Sequence, residues 1–207
     1  HADPGRPDLG LLLMHGQIAP SDWIRRWSHL VPAGGSVLDV ACGQGRHMRW
    51  FFELNHPVTG IDKAQKAIEL VASMGQAIRA DIEAGPWPLP GRRFDCVVVT
   101  NYLWRPLLPT ILDSVAPGGV LLYETFAQGN ESVGRPARAD FLLRPGELLQ
   151  AFGALRVVAY EDGFLDAPAR FVQRIAAVRE PLAPGGPLRL PLVGRLARGY
   201  NAARFSS

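Results

Sequence analysis

The sequence predicts an α/β fold: a parallel sheet with helices on both faces, ended by an antiparallel hairpin, with seven strands in all. Three observations lead there. From Val37 to Thr125, short apolar runs alternate with helix-length segments, the spacing of βαβ units. Two of these runs, "CVVVTN" and "VLLYET", are apolar through their first four residues instead of alternating, as strands covered on both faces are. Near the end the pattern changes to two strand-like runs, Leu155–Tyr160 and Phe171–Val178. Their link carries Asp162-Gly163 and Pro168, which reads as a hairpin, so the last strand runs against its neighbours.

The elements follow in order. Residues 1–19 hold Pro4, Gly5, Pro7, Gly10 and Gly16 and read as a loose arm. Ser21 can cap a helix that places Trp23, Ile24, Trp27 and Leu30 at helical spacing and continues through Val31, until Pro32 to Gly35 end it. Val37–Ala41 is the first strand and Gln44–Asn55 a helix. Val58–Asp62 is the second strand, Lys63–Met74 the next helix, and Gln76–Ala80 a short third strand. Residues 84–93, "AGPWPLPGRR", form a proline-rich loop before the fourth strand, Cys96–Asn101. Pro106 opens a helix to Val115, "APGG" closes it, and Val120–Thr125 is the fifth strand. From Pro181 onward Gly, Pro and Arg predominate. The chain thus divides into an arm (1–19), one domain (20–180) and a tail (181–207), without internal repeats.

Composition narrows the class. The 207 residues suit one domain, and 47% hydrophobic with 20% charged residues is a globular balance. The formal charge of +3 invites a nucleic-acid partner, but its location argues otherwise. Four arginines (Arg189, Arg195, Arg198 and Arg204) follow the last acid, Glu180, and residues 1–180 hold 18 basic against 19 acidic side chains. The tail reads as disordered or dimer-docking, so the expected state is a monomer or a homodimer with no nucleic-acid partner. Cys42 and Cys96 stand at the exit of one parallel strand and the entry of another, about 15 Å apart and too far for a disulfide. No metal-ligand spacing occurs, so no metal is expected, and the free thiols predict a reducing, cytoplasmic setting. No run approaches the ~20 apolar residues of a membrane span, so no membrane partner is expected.

The stretch that carries chemistry is "VLDVACGQGRH", Val37 to His47, where an apolar strand holds Asp39 and then breaks at Gly43 and Gly45. In an open parallel sheet, ligands bind beyond the carboxyl ends of the strands. Glycines there let a ligand approach backbone amides and the following helix N-terminus. A dinucleotide-binding turn needs a third small residue, but Met48 stands in that place, and a diphosphate gains nothing from Asp39. A nicotinamide-dependent reductase is therefore the weaker reading. A cationic ligand fits better. S-adenosylmethionine carries a sulfonium and an ammonium, and Asp39 can hold the ammonium directly or through water, although it can also cap the turn's own amides. Asp62 ends the second strand, where a carboxylate can accept both ribose hydroxyls and also cap the next helix. Asp81 in "RADIE" can meet the adenine amino group while Ile82 packs on the ring. Cys42 reads as a packing residue, His47 as a helix residue with a substrate contact as its alternative, and Asp95 as structural.

Taken together, "VLDVACGQGRH", "VTGID", "RADI", "FDCVVVTN" and "APGGVLLYE" resemble the successive motifs of class I S-adenosylmethionine-dependent methyltransferases, across about residues 20–180. The resemblance implies a Rossmann-like sheet of order 3-2-1-4-5-7-6 with strand 7 antiparallel. It also implies S-adenosylmethionine as cofactor, with S-adenosyl-L-homocysteine as product. It implies cofactor contacts from Asp39, Ala41, Cys42, Gly43, Gly45, Arg46, Asp62, Lys63, Asp81, Ile82, Asn101 and Tyr102, with Asn101 and Tyr102 near the methyl group. Because methyl transfer is chiefly alignment, no catalytic residue is certain. Substrate walls are expected from Tyr102, Trp104 and Arg105 after the fourth strand, from Glu124, and from the long segment 127–144 with Arg135. The prolines of the N-P-P-Y motif are missing from "TNYL", which favours a small-molecule acceptor. The layout is loosely similar to the tellurite-resistance and thiopurine methyltransferases. A binding module that keeps the fold without catalysis is the main alternative.

Overall fold

The structure, a computed structural model, describes residues 19–183 and 185–194; the arm before Ala19 and the tail arginines Arg195, Arg198 and Arg204 lie outside the described residues. Val37–Val40 (β1) is buried at all four positions, which requires neighbours on both edges and cover on both faces. It has them. Val58–Asp62 (β2) pairs with it on one side and Phe94–Thr100 (β4) on the other, both parallel. Gln76–Arg79 (β3), Val115–Phe126 (β5), Arg156–Asp166 (β6) and Ala169–Val178 (β7) complete a seven-stranded sheet of order β3-β2-β1-β4-β5-β7-β6, with β7 antiparallel to both β5 and β6.

Each face carries its own apolar layer. On one side, Val37, Val98 and Leu122 meet Trp23 and Trp27 of α1 (Asp22–Trp27), Met48 and Phe51 of α2 (Arg46–Glu53) and Val71 of α3 (Gln65–Val71). On the other, Leu38, Val99 and Leu121 meet Leu108 and Ile111 of α4 (Leu108–Asp113) and Leu148 of α5 (Glu147–Ala151). The two α1 tryptophans are core residues, 1% and 2% exposed, each contributing about 4–6 kcal/mol by area. Asp95 is structural as its position suggested: its Oδ2 accepts from the Ser36 amide (2.7 Å) and hydroxyl (2.9 Å), fastening the starts of β1 and β4. Cys96 pairs in register with Val37 while Cys42 lies beyond the far end of β1, and both thiols are free and buried.

Four local readings change. The segment "APGG" does not lie outside the sheet. It runs within β5, where a register shift between Phe94 and Cys96 absorbs it, and a Cβ on Gly119 would press the Phe94 carbonyl at 2.9 Å. The hairpin turns at Ala167-Pro168, because Asp162 and Gly163 pair with Gln173 and Val172 inside the ladder. The first helix ends at Trp27 and gives way to a tighter turn, Ser28–Leu30. A short helix, α5, was not anticipated; Leu148 and Phe152, four residues apart, bury its apolar side. No helix among the described residues is long and apolar enough to cross a membrane.

Candidate functional site

The site is built where β1 and β4 end. Ala41 and Asn101 directly follow these neighbouring strands and both adopt left-handed backbone, φ 55° and 52°, a strained conformation for non-glycine residues. Gly43 and Gly45 share it, but for different reasons. A Cβ on Gly43 would meet nothing within 4 Å, so the space beside the turn is open there. A Cβ on Gly45 would strike the Val71 side chain at 2.3 Å, so this glycine lets α2 pack against α3. Asp62, at the end of β2, locks the turn: its Oδ2 accepts from the Gly43 amide (2.9 Å) and its Oδ1 from the Ala64 amide (2.8 Å).

Two cavities flank this turn and meet at Ala41. The first, about 210 Å³, is bounded by Ala41, Asp62, Lys63, Ala80, Asp81, Ile82, Glu83 and Tyr102. Asp81 holds its own loop, its Oδ1 accepting from the Glu83 and Ala84 amides, and these bonds keep its carboxyl below the ordinary value. Tyr102 is steadied through its carbonyl, which accepts from the buried Tyr123 hydroxyl at 2.8 Å. Its own hydroxyl is buried without a partner, and burial first, then the Glu83 carboxylate, keeps it protonated. The second cavity, about 510 Å³, is bounded by Ala41, Cys42, Gly43, Gln44, Arg46, His47, Thr100 and Asn101.

Asp39 lies in β1 just below this turn, 2% exposed, and its Oδ2 has no hydrogen-bond partner. Burial raises its pKa from 3.8 to about 7, and Asp62 adds to the rise, while Arg46 opposes it. An isolated buried carboxylate is costly and is relieved by a cation. The orphaned oxygen, the open space beside Gly43 and the paired cavities fit a ligand with a nucleoside at one end and an ammonium at the other. Cys42 is no nucleophile, because burial and the Asp39 charge push its thiol far up.

Of the predicted cofactor contacts, eleven border these two cavities or the turn between them, and Asp39 lies beneath. The substrate-side candidates are more dispersed. Tyr102 borders the first cavity. Trp104 is partly exposed, and Arg135 is exposed on segment 127–144. Arg105 is committed elsewhere: it forks onto Glu147 (2.6 and 3.0 Å) and donates to the Asp140 and Leu142 carbonyls, clamping that segment to α5. Glu124 is buried and accepts from the Ser21 hydroxyl (2.9 Å) and Arg174 (3.2 Å).

Sequence reasoning passed over Thr100 and favoured an ordinary helix role for His47. The Ser21 amide donates to His47 Nε2 (3.1 Å), so the ring proton sits on Nδ1, 3.4 Å from Thr100 Oγ1. Thr100 then accepts, and its own hydrogen is left to donate. Burial, then Arg46, drives His47 down to a pKa of about 3, so the ring stays neutral. The signal was present: His47 opens α2 directly after the turn, and Thr100 precedes Asn101. Among the described residues no three His, Cys, Asp or Glu side chains converge to hold a metal ion.

Known proteins share this fold. A family model described as a methyltransferase domain matches residues 37–119, the span from β1 into β5. The tRNA U34 carboxymethyltransferase of Klebsiella pneumoniae is 28% identical over 165 residues, covering 70% of this chain and 49% of that protein. The chain thus spans about half the length of the curated relatives it matches. TehB from Haemophilus influenzae superposes with a TM-score of 0.62 at 20% identity, over 77% of this chain and 62% of that one. A TehB-like SAM-dependent methyltransferase from Corynebacterium glutamicum gives 0.60 at 15% identity, over 83% and 95% of the two chains.

Proposed function

We propose that the chain is a class I S-adenosylmethionine-dependent methyltransferase, a reading supported by the methyltransferase-domain match and the shared fold, and that it methylates a small-molecule acceptor held at the carboxyl edge of β1 and β4. The observation that carries the reading is the pair of cavities meeting at Ala41, above an orphaned Asp39 oxygen. The cofactor supplies an electrophilic methyl group on its sulfonium. Asp62 takes the ribose hydroxyls, worth roughly 1.5–3 kcal/mol for each charge-assisted bond. Asp81, Ile82 and the Tyr102 ring form the adenine end. Asp39 receives the ammonium beneath the bare turn.

The remaining task is alignment of the acceptor with the methyl group, which can equal an effective molarity of roughly 10⁵–10⁸ M. Thr100 and Asn101 stand at that end. His47 is not the general base, since its Nε2 is already accepting and its pKa is about 3. A small acceptor suits the part of the roughly 510 Å³ recess between the turn and β4 that the cofactor's methionine end leaves free. The similarity to a tRNA carboxymethyltransferase favours a second reading, in which the acceptor is a nucleotide within tRNA. Labelled S-adenosylmethionine, incubated with the protein and either a small-molecule extract or bulk tRNA, separates the two. Label entering only the small molecules is the expected result, and label entering only tRNA overturns it.

A further inference from the structure

Glu124 is the centre of an uneven set of charges. It is 1% exposed and stands in register between Thr100 of β4 and Arg174 of β7. Arg174 lies 3.2 Å from it and is shared with Glu161, to which its Nε donates at 2.7 Å. Arg170, on the same face of β7 as Arg174, lies 3.8 Å from Glu124, outside hydrogen-bond reach. Its side chain is 22% exposed, and its Nε is buried with no partner. Arg46 is half-buried and borders the larger cavity, and no carboxylate among the described residues lies within 4 Å of it. Its guanidinium is disfavoured first by burial; the more distant charges of Glu124 and Asp39 oppose this, and the charge of Arg170 adds to it.

Arg26 also pairs with Glu161 (3.3 Å), so four guanidiniums stand around the two carboxylates Glu124 and Glu161, and the surplus falls on Arg46 and Arg170. No acidic side chain borders the larger cavity to balance them, and the Thr100 hydroxyl, turned outward by His47, adds a neutral donor. Half-buried cations of one sign standing together are costly until an anion joins them. We propose that the acceptor carries an anionic group, a carboxylate or a phosphate, and that Arg46 and Arg170 hold it beside Thr100 at the mouth of this cavity. The proposal rests on the reading that the same site holds S-adenosylmethionine. It assigns Arg170 a binding role and makes the charge of the acceptor its selected feature. Arg170 can fork onto either oxyanion.

The test uses protein saturated with S-adenosyl-L-homocysteine, so that the cofactor's own carboxylate is already placed. Inorganic phosphate and benzoate are titrated separately at constant ionic strength, with chloride as reference, and the unfolding midpoint is followed. We expect at least one of the two to raise it saturably beyond chloride. Phosphate alone identifies a phosphorylated acceptor, and benzoate alone a carboxylic one. Arg170→Met should raise the half-saturating concentration at least tenfold while changing S-adenosyl-L-homocysteine affinity less than twofold. Arg170→Lys, which keeps the charge and the fold but loses the fork, should fall between. Arg138→Met removes an exposed arginine outside the cluster and should match the parent. No saturable effect beyond chloride, or an unchanged response in both Arg170 variants, overturns the proposal. Failure of S-adenosyl-L-homocysteine itself to bind overturns the functional reading, and the proposal with it.

Discussion

Asp39 lies within β1 and Asp62 ends the adjacent β2, yet their surroundings give them opposite tasks. Asp62 is satisfied by two backbone amides and shapes the turn before any ligand arrives. Asp39 keeps one buried oxygen unpaired, and burial holds its pKa near 7. A ligand cation beside it favours the ionised form, so cofactor affinity should weaken as pH falls from 8 to 6. Asp39→Asn should abolish that dependence and lower affinity at pH 8 at least tenfold, read by calorimetry. Asp39 and Gly43 were legible as chemistry because a charge in a buried strand and a bare turn are costly without a purpose. The neutral His47 was not legible, because its role depends on the Ser21 amide, 26 residues away in sequence. Arg105 misled for a similar reason, since nothing local announces its clamp on Glu147.

At the scale of elements, α1 is latched to the sheet through one residue. The Ser21 hydroxyl accepts from the Trp23 amide (3.1 Å), capping the helix, and donates to Glu124, while the Ser21 amide holds His47. Ser21→Ala removes the cap and a donor to a buried carboxylate. It should cost about 2–4 kcal/mol in urea unfolding. On the opposite face Arg105 ties segment 127–144 to α5. Arg105→Ala should speed tryptic cleavage after the exposed Arg138 without loss of sheet signal in circular dichroism. Unchanged cleavage would mean that other contacts hold the segment. The strands were legible because their apolar runs are continuous. The strand ends were not, because the register shift that draws "APGG" into β5 is set by the facing β4 backbone.

At the scale of the whole molecule, Asp39 links stability to pH. Its pKa is raised on folding, from 3.8 to about 7. Below pH 3.8 it is protonated in both states. Between 3.8 and 7 the folded chain keeps a proton that the unfolded chain has lost, so this stability declines as pH rises, by about 4 kcal/mol across the window. Asp39→Asn should therefore be more stable than the parent at pH 8 and little different at pH 4, read by thermal unfolding. The strand order was legible only through the likeness of successive motifs to a known family, because nothing in one chain's periodicity fixes which strands are neighbours. On the proposed function, this edge of the sheet holds a nucleoside sulfonium between two carboxylates. Calorimetric titration with S-adenosyl-L-homocysteine tests it most directly. One saturable site, weakened roughly ten- to hundredfold by Asp62→Ala, is the expected result. No binding to the parent protein, or equal binding to both, would contradict it.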